Sequence, residues 1–133
     1  MTPCYCNSGL SFESCCEPFL LGDKTPETAE QLMRSRYSAY VEADVRYILK
    51  TTHPSKRKYY SAASIKKWAT SSKWIRLEII ATEKGSATDD KGTVTFKAYY
   101  SNEHNQSIVH HEHSYFVKEK GIWYFLEGEV KEE

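Results

Sequence analysis

All four cysteines of this 133-residue chain fall within its first sixteen residues, MTPCYCNSGLSFESCC, as Cys4-x-Cys6, eight residues, then Cys15-Cys16. Four thiolates make up a tetrahedral structural metal site, and an all-sulfur set suits Zn2+. Cys4 and Cys6 can both point inward from one tight knuckle. Asn7-Ser8-Gly9 supplies the reversal, because Asn and Gly tolerate positive φ. A segment this short cannot bury a hydrophobic core, whereas zinc binding of about 10–16 kcal/mol can hold it. Disulfides are the competing chemistry. They require an oxidising compartment, and no basic segment followed by an apolar stretch marks a secretory start. Adjacent cysteines also pair poorly with each other. A redox pair would normally show C-x-x-C spacing, which is absent.

A second set of residues places polar or aromatic side chains at otherwise buried positions: Arg36, Tyr37, Tyr40, His53, Trp74, Tyr99, Glu112 and Trp123. They read either as the lining of a pocket or as a satisfied core network. A buried Arg36 needs a carboxylate, and Glu112 is the candidate. His110-His111-Glu112-His113 is not an H-E-x-x-H zinc motif. On a strand it places His111 and His113 on one face and His110 and Glu112 on the other, and no third metal ligand is apparent. No nucleophile–base or paired-carboxylate spacing points to a reaction, so catalytic residues stay open.

Charge is balanced overall, with 18 basic and 18 acidic residues, but unevenly spread. From Val45 to Leu77 there is no Asp or Glu, and nine basic residues stand there, Lys56, Arg57, Lys58, Lys66 and Lys67 among them. With Tyr59, Tyr60, Trp68 and Trp74 interleaved, this stretch suits phosphate contact and base stacking. A solvated helical face with both tryptophans turned inward is the plainer reading, and the zero net charge disfavours nucleic acid.

The elements that position these residues follow from period and punctuation. Residues 17–24 read as a linker. Thr25-Pro26 reads as a helix start, and Ala29, Leu32, Met33, Tyr37, Tyr40 and Val41 recur at helical spacing, giving a helix over 26–41. Asp44 caps a short helix with Val45, Ile48 and Leu49 inward, and a third helical pattern covers 59–71, carried by Ala62, Ile65, Trp68 and Ala69. Then the period becomes two. Ile75, Leu77, Ile79 and Ala81 share one face of a strand over 74–83. Val94, Phe96, Ala98 and Tyr100 share a face of the next, over 93–100. Strands over 107–119 and 122–130 follow, joined at Lys120-Gly121. Three helices packed on a curved antiparallel sheet make an α+β fold, which would enclose a cone.

Composition agrees with one domain beside the knuckle: 40% apolar and 14% aromatic residues exclude a disordered chain. No apolar run is long enough to span a membrane. A cytoplasmic protein with reduced thiols is expected.

The cysteine spacing resembles the SEC-C motif, the zinc-binding tail of the SecA translocation ATPase. Together with Leu32-Met33-Arg34-Ser35-Arg36-Tyr37, Thr52-His53-Pro54 and Gly121-x-Trp123-Tyr124, it makes the chain similar to the YchJ-like (UPF0225-type) family. The resemblance implies a SEC-C motif over 1–22 and a nuclear-transport-factor-two-like domain over 23–133. Asn7 stands where the motif usually has Gly, and the lysines usual between the cysteine pairs are absent. Family members often carry a second such motif after the domain; this chain stops at Glu133 without one. Partner binding by the motif in SecA suggests a non-enzymatic adaptor docking on a protein or ribonucleoprotein partner. The alternatives are a small-molecule-binding domain or enzyme using the cone, and a zinc ion that only staples the N-terminus. Relatives of the fold often dimerise through the open sheet face, where His111, His113 and Tyr115 could lie.

Overall fold

Asn7 (φ 62°) and Gly9 (φ 93°) take the left-handed conformation and turn the chain back on itself. In this computed structural model, which describes residues 2–131, Pro3 bridges Ser11 and Cys4 N–H donates to Leu10 C=O at 2.9 Å. The stretch expected as a linker instead contains a helix, α1 (Glu17–Leu21). Pro18 in its first turn and the left-handed Gly22 that ends it are the two ordinary helix signals, and Leu20 is buried.

Helix α2 spans Ala29–Val41, three residues later than expected. The hydroxyl that caps it belongs to Thr28, not Thr25: Thr28 Oγ1 accepts from Gln31 N–H at 3.1 Å, and Gln31 Oε1 accepts from Glu27 N–H. Helix α3 (Val45–Lys50) is capped by Asp44 and buries Tyr47 and Ile48, with Val45 and Leu49 half-buried. The pattern expected as one helix over 59–71 is split. A 3-10 turn runs Pro54–Tyr59, and α4 (Ala62–Ser71) starts after the capping Ser61. Ile65 and Ala69 are buried, Trp68 is half-buried, and Ala62 is exposed.

Four strands, β1 (Lys73–Lys84), β2 (Lys91–Ser101), β3 (Ser107–Glu119) and β4 (Ile122–Val130), form one antiparallel meander in chain order. Lys120 (φ 53°) and Gly121 (φ 79°) make the two-residue turn of the last hairpin, as its strand twist requires. Two bulges interrupt β1, at Ile75 and Ile80, and a third shifts the β3–β4 register near Phe116. They change which residues of β1 face inward. Trp74, Leu77, Ile79 and Thr82 pair with Tyr100, Ala98, Phe96 and Val94, while Ile75 is 57% exposed and Ala81 is also turned to solvent. Each bulge bends its strand and increases local twist, so the sheet curves around α2.

Leu32, Met33 and Tyr37 of α2 pack on Leu77, Val94, Phe96, Ala98, Phe116, Trp123 and Phe125 of the sheet. The other side of α2 packs Ala39 against Tyr47, Ile48, Ile65 and Leu20. Both sheet edges are engaged. Thr51 and His53 exchange backbone bonds with Phe125 on β4, and Leu77 N–H of β1 donates to Asn7 Oδ1 at 2.8 Å. Among the described residues no helix is long and apolar enough to cross a membrane.

Candidate functional site

The four thiols converge. All four Sγ atoms lie within 4.8 Å of one another, with Cys6–Cys15 at 3.6 Å and Cys15–Cys16 at 3.9 Å. A tetrahedral ion with metal–sulfur bonds of about 2.3 Å sets sulfur–sulfur edges of about 3.8 Å. The cysteines are free, not disulfide-bonded. Cys4, Cys6 and Cys16 are buried in the same cluster as Leu32, Tyr37 and Leu77, so the knuckle is part of the main core. Hydrogen bonds from the Cys16 and Cys6 thiols hold the Cys4 thiol far below its ordinary pKa. The same contacts, with burial, push Cys16 far up, and burial pushes Cys15 up to about 11. A metal ion stabilises all four as thiolates.

A shell of polar groups surrounds the sulfurs. Ser8 Oγ lies 3.1 Å from Cys15 Sγ and Ser38 Oγ 3.7 Å from Cys4 Sγ. Arg34, paired with Glu30, donates to Cys6 C=O at 2.6 Å. Such outer contacts orient ligands and tune their basicity.

Between α2 and the concave face of the sheet lies a cavity of about 280 Å³. The structure brings Arg36, Tyr37, Tyr40, Trp74 and Glu112 together around it, with Tyr60, Trp68, His110, Ser114 and Phe125 also lining it. The aromatic walls interlock edge to face: Tyr40–Trp68 at 5.1 Å, Trp68–Trp74 at 5.6 Å and Tyr37–Trp74 at 5.9 Å. A wider groove of about 700 Å³, lined by polar and apolar groups alike, runs beside the knuckle between Cys15, Phe19, Lys24 and Arg34.

Arg36 and Glu112 do not form the direct pair expected of them. Arg36 is 6% exposed; its Nη1 donates to Ile48 C=O at 2.9 Å and reaches Thr51 and Thr52 Oγ1, and its plane lies over Phe125 at 4.4 Å. Glu112 accepts instead from His110 Nε2 at 2.8 Å and from Ser114 Oγ. Burial alone would raise the Glu112 pKa. The bonds from His110 and Ser114, with the charges of His110 and Arg36, outweigh it and hold the carboxyl below its ordinary value. Gly128 makes room for this carboxylate, since a Cβ there would collide with it. An ionised Glu112 and the imidazole it orients can accept or relay a proton from a cavity ligand.

Three expected pocket residues lie elsewhere. Tyr99 is on the convex face, donating to Glu78 and covered by Arg76 at 3.8 Å; the alternation that turns Ala98 inward turns Tyr99 out. Trp123 fills the core at 2% exposure and donates from Nε1 to Glu27 C=O at 3.0 Å. His53 caps the 3-10 turn, packs on Tyr124 and sits 2.9 Å from Glu119. Sequence reasoning missed Tyr60, His110, Ser114 and Phe125 as lining. Gly128, an isolated glycine inside a strand, was the one available signal of close approach.

The basic segment is partly occupied. Arg57 donates to the C=O groups of Leu49, Lys50 and Thr52 at the end of α3, and Lys56 pairs with Glu127 at 3.2 Å. Lys58, Lys66 and Lys67 are exposed, and Tyr59, 69% exposed, lies 5.4 Å from Lys58 Nζ. On the convex sheet face, His113 Nδ1 meets Thr95 Oγ1 at 2.6 Å and its ring packs on Tyr115.

The family described as "YchJ, middle NTF2-like domain" matches residues 28–128. A UPF0225 protein of Geobacter sulfurreducens is 44% identical over 125 residues, covering 94% of this chain and 77% of the relative. The chain belongs to this UPF0225, YchJ-like family. A UPF0225 protein of Haemophilus influenzae is 42% identical over 96% of this chain and 77% of its own length. The solution structure of a SEC-C motif containing protein from Rhodopseudomonas palustris matches with a TM-score of 0.88 at 35% identity, over 97% of this chain and 98% of that one. The crystal structure of a SEC-C motif containing protein from Psychrobacter arcticus matches with a TM-score of 0.80 at 34% identity, over 98% and 82%. Against the motif's usual glycine, Asn7 keeps the positive φ that glycine would allow and adds an anchor to β1.

Proposed function

We propose that this YchJ-like chain is a small-molecule-binding domain whose ligand site is the cone cavity. We also propose that Cys4, Cys6, Cys15 and Cys16 hold a structural zinc ion. One observation carries the ligand reading: a buried guanidinium and a half-buried carboxylate face one aromatic cavity without pairing with each other. Each charge has its own partners, Arg36 the oxygens of Ile48, Thr51 and Thr52 and Glu112 the donors of His110 and Ser114, so neither neutralises the other across the cavity. The edge-length match of the sulfurs and their burial in the main core support zinc as a structural ion. Four free thiols suit a reducing, cytoplasmic setting.

Trp68 and Trp74 line the cavity and report on its occupancy. A fragment set of mixed charge, titrated into the zinc-loaded protein, is expected to change tryptophan fluorescence saturably. Failure of every fragment, with no amide shifts at residues 36–40, 110–114 or 128, would overturn the ligand reading. Metal analysis of purified protein is expected to give one zinc per chain; a metal-free protein of equal thermal stability would overturn the zinc reading.

Docking on a ribonucleoprotein partner is the second reading, favoured by exposed Tyr59 beside Lys58 and by Lys66 and Lys67 on α4. Salt-sensitive co-sedimentation with ribosomes, lost in a Lys58→Glu, Lys66→Glu, Lys67→Glu variant, is its expected result. No pelleting at low salt refutes it.

A further inference from the structure

We infer that the cone cavity takes a single-ring aromatic carboxylate bearing a hydroxyl or amino group, its acid seated on Arg36 and its donor on Glu112. This rests on the cavity being a ligand site, as proposed above. The acid is assigned by the guanidinium. Every hydrogen bond of Arg36 leaves from Nη1, and among the described residues Nε and Nη2 have no partner. These two atoms form one edge of a planar fork whose parallel N–H groups match the two oxygens of a carboxylate. Glu112, the half-buried carboxylate on the same cavity, is held by His110 and Ser114 and is not bonded to Arg36. A guanidinium at 6% exposure that lines a cavity and pairs with no carboxylate among the described residues suits an anion from outside the chain.

The ring is assigned by the walls and the volume. Tyr37, Tyr40, Trp68, Trp74 and Phe125 present faces and edges to the space, which suits edge-to-face packing with a further ring. A cavity of about 280 Å³ lies at the small end for ligand sites and suits one ring with a short acid arm. The donor is assigned by Glu112. An ionised carboxylate only accepts, and its two protein bonds leave further lone-pair positions open. Gly128 leaves room for the carboxylate beside it, and Glu112 gives the cavity lining an acceptor.

The test uses the zinc-loaded 133-residue chain and three probes sharing one phenol ring: 4-hydroxyphenylacetate, its neutral amide, and the cationic tyramine. Tryptophan fluorescence titration is expected to show the acid binding at least about tenfold tighter than the amide, the lower bound for a charge-assisted bond pair, with tyramine weaker still. Removing the phenol hydroxyl, as in phenylacetate, is expected to weaken binding several-fold. Arg36→Lys keeps the charge but loses the fork, and is expected to abolish the preference for acid over amide. Tighter binding of the amide or tyramine, or no binding of the acid, overturns the inference. Fragments of other charge would in that case still shift the cavity amides if the ligand reading itself stands. The probe series on wild-type protein decides the matter even if Arg36→Lys fails to fold, which circular dichroism would show.

Discussion

Asn7→Gly isolates the bond that ties the knuckle to the sheet. Asn7 Oδ1 accepts from Leu77 N–H at 2.8 Å, across 70 residues of sequence. Leu77 is 3% exposed and lies between the two bulges of β1, on the outer edge of the sheet. Glycine adopts the φ of 62° at least as readily as asparagine, so the backbone turn survives. What is lost is the acceptor. An unsatisfied buried N–H costs about 1–3 kcal/mol; the bond is only half-buried, which places the loss near the lower end, about 1 kcal/mol. Glycine also has more freedom to lose from the unfolded chain, so relief of positive φ does not offset the loss. For a domain of this size the expected fall in Tm is roughly 3–5 °C. The assay is thermal unfolding of the zinc-loaded protein by circular dichroism, with hydrogen exchange of the Leu77 amide as the local readout. Exchange at Leu77 should quicken more than at its core neighbour Val94. A variant as stable as wild type, with Leu77 exchange unchanged, would refute the anchoring role and leave Asn7 a mere turn residue.

Removing the metal by chelation, or changing Cys16→Ser, should unfold part of the main core, because Cys16 is 1% exposed within it. At free zinc a thousandfold above its Kd the metal contributes about 4 kcal/mol, so a Tm insensitive to chelator sinks the structural-zinc reading. Gly128→Ala should drive a methyl group into the Glu112 carboxylate, costing about 1–3 kcal/mol and weakening any cavity ligand; equal stability by urea unfolding would contradict the close approach. The Glu112 pKa is lower in the folded state than its ordinary value of 4.5. Its ionisation therefore stabilises the fold above that value, and the contribution is lost as pH falls through the lower folded pKa. Wild type should lose stability more steeply than Glu112→Gln on acidification below about pH 4.5, and parallel curves would count against the ionised carboxylate.

Much of the sheet was legible because period two is unambiguous where it is unbroken. Residues 107–119 and 122–130 form strands with those bounds, and Val94, Phe96, Ala98 and Tyr100 share the concave face. β1 was misread at Ile75 and Ala81 for a physical reason. Each bulge inserts one residue and reverses the parity of everything beyond it, and nothing in the alternation of Trp74–Glu83 announces where the pairing slips. Helix α1 escaped because five residues are too few to show a 3.6 period; only its Pro18 and Gly22 marked it. The start of α2 moved because two threonines could cap, and Gln31 selects Thr28.

The cysteine cluster was legible because four ligands crowd into thirteen residues and the chemistry allows few other uses. The cavity was only half legible, and the reason lies in how it is built. Arg36, Tyr40, Trp74 and Glu112 stand out as polar or aromatic residues at apolar positions, but so does Trp123, which fills the core instead. Whether such a residue lines a space depends on sheet curvature, and the bulges in β1 set that curvature. Trp74 reaches the cavity because the bulge at Ile75 restores its inward direction beside Leu77. Between that bulge and the next, Leu77 N–H is held by Asn7 of the knuckle. The cysteine cluster and the cavity thus meet at β1. Loosening the knuckle removes the anchor from the segment whose shape brings Trp74 against Tyr37 and Tyr40. Zinc removal should therefore weaken a cavity ligand even though no cysteine touches the cavity. Ligand affinity that survives chelation in a protein still folded would show the two sites to be independent.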